Sequence, residues 1–181
     1  MVTLAAPMRP LATLAWGLLL VVLDFRIGGG VDLVPDPIGW VIGAVAAHAL
    51  FRSVGESQPD ARRWFAVTSA TCAAAVLPAV PEWAGVQHPI ILVAVSVAET
   101  VVVFAACTGI MSVLPTRRAT ANVVRWSNLG TAAALAVLVA GANVEPELAP
   151  LVLLTGVAAL AVLVWFLILL FQAAKDPAPA Y

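Results

Sequence analysis

Glu99 is the residue of this sequence whose type and position could most directly support chemistry. It lies ten residues after Pro89, in an apolar run that extends to Leu114. A helix rising about 1.5 Å per residue would place its carboxyl group near the middle of a bilayer. Ionisable side chains at that depth are costly and often mark proton or ion pathways. Two hypotheses follow: Glu99 handles a proton or cation, or a protonated Glu99 donates a hydrogen bond that stabilises helix packing.

Polar side chains around Glu99 define the rest of this candidate site. Ser96 and Thr100 stand near its face at helical spacing and predict a narrow polar stripe toward the bundle interior. His48, in an earlier apolar run, lies at a similar depth when each residue is counted from the proline that starts its helix. When each residue is counted from the other end of its helix, the two depths no longer match. A His48–Glu99 pair is therefore one arrangement, and separate environments are the other.

The chemistry that the sequence lacks narrows the function. It contains no second deep carboxylate, no nucleophile with an evident base, and no spacing typical of metal ligands. Cys72 and Cys107 both fall inside apolar runs, where a thiol is expected to pack as a small apolar group. We therefore expect a non-enzymatic protein with no cofactor and no metal.

Three acidic residues, Asp24, Asp32 and Asp36, surround the turn before the second apolar run. Their carboxylates are hard oxygen ligands of the kind that calcium and magnesium prefer. The structural alternative is stronger, because Asp36 stands where a helix N-cap belongs and Pro37 where the first helical residue belongs. Asp32 precedes Pro35 in a turn pattern. We therefore predict a helix start at this turn in preference to a metal site.

The nine residues of this turn read Asp32-Leu-Val-Pro-Asp-Pro-Ile-Gly-Trp40. The segment follows an apolar first run and resembles a D-x-x-P-D-x-x-G-W/Y pattern found in small multi-pass bacterial membrane proteins. The resemblance implies a shared entry turn in front of a membrane helix. No activity is attached to the pattern, so it implies nothing about a substrate.

Composition places most of the chain in hydrocarbon. Of its 181 residues, 62% are hydrophobic and 10% are charged, whereas an ordinary soluble domain is roughly 45–50% apolar. The mean hydropathy is +1.03. Runs of about 18 or more mostly apolar residues recur, and each is long enough to cross about 30 Å of hydrocarbon. The net charge of −1 gives no electrostatic basis for binding nucleic acid.

We predict an all-α integral membrane protein, a single polytopic domain over residues 1–181 with six transmembrane helices arranged as three hairpins. The spans are expected at about 11–25, 38–54, 64–80, 89–114, 129–142 and 150–172. With both termini cytoplasmic, the basic residues inside are Arg9, Arg52, Arg62, Arg63, Arg117, Arg118, Arg125 and Lys175. Only Arg26 falls outside. Because cytoplasmic loops carry an excess of Lys and Arg, the pattern predicts a multi-pass protein of the cell membrane with both termini in the cytoplasm.

Small residues indicate which helices pack most closely. The second span carries Gly39, Gly43 and Ala47 at every fourth position, a spacing that lets helix backbones approach in lipid. The fifth span repeats the spacing with Ala132, Ala136 and Ala140. We expect both helices to be buried in the bundle or in a seam between copies, and the bulkier sixth span to face lipid.

These observations favour a structural or accessory membrane component, surrounded by lipids and with a second copy or another membrane protein as partner. The alternative is a small proton- or cation-coupled transporter or channel that uses Glu99. A polar, water-accessible route from Glu99 to either surface would favour transport, and a dry bundle would favour the structural role.

Overall fold

A computed structural model of the chain describes residues 8–23, 26–27, 31–32, 36–56, 58–86 and 88–177. They form six α-helices: α1 (Arg9–Val22), α2 (Asp36–Ser53), α3 (Pro59–Trp83), α4 (Pro89–Val113), α5 (Arg118–Ala142) and α6 (Ala149–Ala173). One-turn 3₁₀ helices, Pro115–Arg117 and Pro146–Leu148, precede α5 and α6. Two short strands, β1 (Arg26–Ile27) and β2 (Val31–Asp32), pair antiparallel with Arg26 opposite Asp32. Apart from this strand pair, the prediction of an all-helical fold is confirmed, with six helices among the described residues.

The six helices form a closed ring. Each helix packs against the next one along the chain, and α1 also contacts α6. The rings of Trp16 on α1 and Phe171 on α6 meet edge to face at 5.4 Å between centroids. The largest fully buried side chains are Trp40, Phe65 and Phe166, which come from α2, α3 and α6. The core therefore joins helices that are distant in sequence.

Among the described residues, four helical segments are long and apolar enough to cross a membrane: Pro59–Trp83, Pro89–Val113, Pro115–Ala142 and Pro146–Ala173. A helix of 25 residues is about 37 Å long, which exceeds the roughly 30 Å of hydrocarbon. Helices α1 and α2 have 14 and 18 residues and extend only about 21 and 27 Å. The structure thus supports a membrane protein with four full-length spanning helices, and six crossings remain a prediction.

Three helix boundaries differ clearly from the predicted spans, and the first is the start of α3, which lies at Pro59 instead of near Trp64. Helix α3 continues through Pro78 and Pro81 to Trp83, although the sequence predicts a loop from Pro81. A proline in the last turn removes one backbone hydrogen bond, and the remaining backbone groups are still best satisfied as a helix in lipid. Helix α5 begins at Arg118, before the predicted start near Leu129 and also before Asn122, the earlier start that the sequence allows. The reason is that residues 118–128 contain polar side chains but no glycine or proline.

Helices α1 and α2 cross at glycines. A Cβ added at Gly39 would lie 2.6 Å from the carbonyl oxygen of Gly17, and one added at Gly17 would lie 2.9 Å from the nitrogen of Gly43. Only glycine permits this approach between backbones. A Cβ added at Gly43 would lie 3.3 Å from Cys72 Sγ on α3, and Ala47 is fully buried. Helix α2 is therefore packed closely between α1 and α3.

Of the two alternatives predicted for the small-residue face of α5, burial in the bundle does not hold. Ala136 and Ala140 are exposed and Ala132 is half-buried, so a seam between copies stays a prediction. The expectation that α6 faces lipid is wrong for its C-terminal half, where Phe166, Leu169 and Leu170 are buried. The reason is the closure of the ring, since this half of α6 packs near α1.

Candidate functional site

Glu99 lies near the middle of α4, where the buried half of that helix begins. Buried residues of α4 start at Ala98 and continue to the end of the helix, whereas Ile90, Val93 and Val97 are more than half exposed. Glu99 itself is half-buried. Its carboxyl group therefore lies at the boundary between the packed core and the more exposed N-terminal half of α4.

A cavity of about 10 Å³ adjoins Glu99. Apart from Glu99, its wall consists of apolar or aromatic side chains from α1, α2, α4 and α6, including Trp40 and Phe166. Trp40 is fully buried, and within the described part of the chain its indole nitrogen has no hydrogen-bond partner. A volume of this size has room for about one water molecule. The cavity can thus place a single water near Glu99 and Trp40, but it is too small for a hydrated ion.

Two further carboxylates lie within electrostatic range of Glu99. They belong to Asp36, in the first turn of α2, and Glu82, in the last turn of α3. Like charges repel, most strongly where water is scarce. In the ranges that the structure describes, no group of three or more His, Cys, Asp or Glu side chains could hold a metal ion. The arrangement suits a proton or a single positive charge better than a chelated metal.

The sequence did not single out Glu82 as a member of this group. It follows Pro81, where a loop was predicted, and its carboxylate comes near Glu99 because α3 packs against both α2 and α4. The one available signal was that Asp36 and Glu82 both fall at the same predicted end of the bundle. Their distances from Glu99 depend on how far the helices are shifted along one another.

His48 and Glu99 are not brought together. His48 is exposed on α2 and stacks on Phe51, with 5.8 Å between ring centroids. Trp40, two turns earlier on the same helix, is the α2 residue that lines the Glu99 cavity. No hydrogen bond or ion pair joins His48 to Glu99, both of which the structure describes.

The predicted polar neighbours of Glu99, Ser96 and Thr100, make no hydrogen bond to Glu99, and the structure describes all three residues. Thr100 Oγ1 donates a hydrogen bond to the carbonyl oxygen of Ser96 at 2.9 Å. Ser96 is exposed and Thr100 is half-buried. The predicted polar stripe therefore does not face the interior at Ser96, because the N-terminal half of α4 extends beyond the packed core.

The acidic turn is described only in part. Asp24 lies outside the described residues, and Asp32 is placed by its backbone alone, in β2. Helix α2 begins at Asp36 itself, one residue before the predicted first helical position at Pro37. The aspartate thus occupies the first turn, where a carboxylate interacts favourably with the helix dipole.

A second helix start uses a residue that the sequence did not single out as a cap. His88 Nδ1 accepts a hydrogen bond from the backbone N–H of Ile90 at 3.3 Å, directly before α4 begins at Pro89.

Cys72 and Cys107 are both free and fully buried. Neither His88 nor either cysteine contributes to a reactive arrangement with Glu99.

Comparison of the chain with protein-family models, curated proteins and solved structures finds no match.

Proposed function

We propose that this protein is a structural or accessory component of the cytoplasmic membrane and has no catalytic activity. The observation that carries the proposal is its largely apolar interior. Among the described residues, Thr68 is the only polar residue that is buried as a whole, and its hydroxyl donates to the carbonyl oxygen of Trp64 at 2.9 Å. A conducting pathway needs a polar or water-filled route. The small apolar-walled cavity beside Glu99 supports a bundle that does not conduct.

The proposal includes six crossings with both termini in the cytoplasm. The connection between α4 and α5 meets the C-terminal segment at one end of the bundle, where Arg117 Nε contacts Asp176 Oδ2 at 2.7 Å. Arg117 and Lys175 therefore share an end, as the excess of basic residues in cytoplasmic loops requires. Helices α1 and α2 are short for a crossing, and local thinning of the bilayer can accommodate such helices at modest cost.

An accessory role needs a surface for a partner, and α5 together with the outer half of α6 supplies one. Nothing lies within 4 Å of a Cβ added at Gly130 or Gly156, so packing within this chain gives no reason for glycine there. Glycine in a helix is less favourable than alanine by about 1 kcal/mol, and small residues permit close helix contacts in lipid. We propose that a second copy or another membrane protein packs on this face.

Proton flux into liposomes tests the structural proposal. Purified full-length protein, its Glu99→Gln variant and protein-free liposomes are compared under an imposed pH gradient. Glu147→Gln is a matched control, because Glu147 is an exposed carboxylate between α5 and α6. The structural role predicts that all four preparations leak protons equally. Flux that exceeds the protein-free level, disappears in Glu99→Gln and persists in Glu147→Gln would overturn it.

A specific observation supports the second candidate, a proton- or cation-coupled transporter. The carboxylates of Asp36 and Glu82 act electrostatically on Glu99, and clustered intramembrane acids occur in proton relays. In this case flux would also fall in Glu82→Gln, because that carboxylate belongs to the same group. The flux assay therefore separates the two candidates with one set of variants.

A further inference from the structure

Arg125 occupies an unusual place in the seam between α4 and α5. It lies seven residues after Arg118, the first residue of α5, which is about 10 Å along the helix axis. An arginine near a helix end usually extends toward the membrane surface. Here Nη1 donates instead to Thr108 Oγ1 on α4 at 3.2 Å. The guanidinium carbon lies 5.3 Å from the ring centroid of Phe104 and 5.4 Å from that of Trp126.

Within the described ranges, no carboxylate pairs with the guanidinium group of Arg125. The contacts of Arg125 are one hydroxyl group and two aromatic rings, and its Nε is buried with no hydrogen-bond partner among the described residues. Arg117 shows the contrast, since it pairs with both carboxylate oxygens of Asp176 at 2.7 and 3.2 Å. A guanidinium carries five N–H donors, so Arg125 retains donors for a ligand.

The groups near Arg125 are also donors. Arg118 is exposed and lies two turns earlier on the same face of α5. Asn128 lies about one turn further along, and its Nδ2 is buried without a hydrogen-bond partner in the described ranges. Arg118 two turns before Arg125 and the Asn128 amide one turn after it add positive charge and an N–H donor on the same helix. Among the described residues no carboxylate pairs with Arg125, so this part of α5 is complementary to an anion.

We propose that this seam binds the phosphate of an anionic phospholipid from the cytoplasmic leaflet. The planar fork of arginine matches phosphate oxygens, and basic pockets between transmembrane helices on the cytoplasmic side bind anionic headgroups. The flanking side chains select a lipid over free phosphate. Trp126, Val123 and Leu129 are 53%, 48% and 38% exposed, so acyl chains can lie against them while the phosphate reaches Arg125.

A lipid titration of the full-length protein tests the site. The protein is purified in a neutral detergent, phosphatidylglycerol is added, and the melting temperature is followed. We expect phosphatidylglycerol to raise the melting temperature, and Arg125→Gln to need about fivefold more lipid for the same rise. Arg63→Gln, which changes an exposed arginine of α3, should respond like the wild type. Phosphatidylcholine and inorganic phosphate should have no comparable effect.

Three results would overturn the proposal. Arg125→Gln and the wild type could respond equally to phosphatidylglycerol, Arg63→Gln could lose as much response as Arg125→Gln, or inorganic phosphate could replace the lipid.

Arg125→Lys keeps the test decisive if Arg125→Gln does not fold. Lysine retains the positive charge but loses the planar fork. In native mass spectrometry, the wild type should retain phosphatidylglycerol under activation that removes phosphatidylcholine, and Arg125→Lys should release it. Equal retention by the two proteins would show that Arg125 serves only the packing of α4 on α5.

Discussion

Replacing Gly39 with alanine should force α1 and α2 apart. The new Cβ would stand 2.6 Å from the carbonyl oxygen of Gly17 and 2.7 Å from Val21 Cγ2. Both distances are well inside the roughly 3.5–4.0 Å of a favourable contact between carbon atoms. The valine can change rotamer, but the carbonyl group belongs to the backbone of α1. One helix must therefore move by about 1 Å to restore ordinary contact.

The expected loss of stability is the difference between two effects. Overpacking of this kind costs about 1–3 kcal/mol, and alanine in place of a helical glycine returns about 1 kcal/mol. The net destabilisation is then up to about 2 kcal/mol, which for a chain of this length lowers the melting temperature by up to about 8 °C. Gly156→Ala is the matched control, because nothing lies within 4 Å of its added Cβ. It should leave the melting temperature unchanged or raise it.

Thermal unfolding of the two variants and the wild type in one detergent, followed by circular dichroism, measures this difference. The reasoning is refuted if Gly39→Ala is as stable as Gly156→Ala, which gains the same helix propensity without the contact with α1. It is also refuted if Gly156→Ala loses as much stability as Gly39→Ala, because the penalty would then not arise from the contact with α1.

Three further predictions concern other parts of the molecule. Asp176→Asn should lower the free energy of unfolding by about 0.5–1 kcal/mol at pH 7. The hydrogen bond from Arg117 lowers the pKa of Asp176 below its ordinary 3.8. The difference in unfolding free energy between wild type and variant should therefore persist above about pH 4 and shrink as the pH falls further. A difference that stays constant down to pH 2 would contradict this. Cys72 and Cys107 are fully buried, so a water-soluble maleimide should label neither thiol before unfolding in SDS, and rapid labelling of the folded protein would be inconsistent with the core. Gly130→Leu should weaken association through the open face of α5 while changing the free energy of unfolding by no more than about 1 kcal/mol. Unchanged energy transfer between labelled copies in liposomes would exclude this face as a contact between copies.

The long helices could be predicted from the sequence because hydrocarbon leaves a continuous apolar segment few ways to satisfy its backbone. Their ends were harder to predict. The predicted fifth span leaves Arg125 outside the helix, and only the alternative start at Asn122 includes it; α5 begins at Arg118. That earlier start places Arg125 inside the helix and turns it toward Thr108 on α4.

Contacts between helices depend on their relative shift, which no periodicity in a single sequence contains. Trp40 is the last residue of the predicted entry turn. It is fully buried beside Glu99 because the start of α2 lies level with the middle of α4. The same shift brings Glu82 within range of Glu99 and leaves His48 away from it.

Cysteine accessibility in intact cells tests most directly the claim that the chain crosses the membrane six times with its arginine-rich end in the cytoplasm. In a Cys72→Ala, Cys107→Ala background, single cysteines replace Gly29, Thr116 or Val144, of which Val144 is 81% exposed. A membrane-impermeant maleimide should label Gly29→Cys and Val144→Cys from outside, and Thr116→Cys only after permeabilisation. Labelling of Thr116→Cys in intact cells, or protection of Gly29→Cys, would contradict the account.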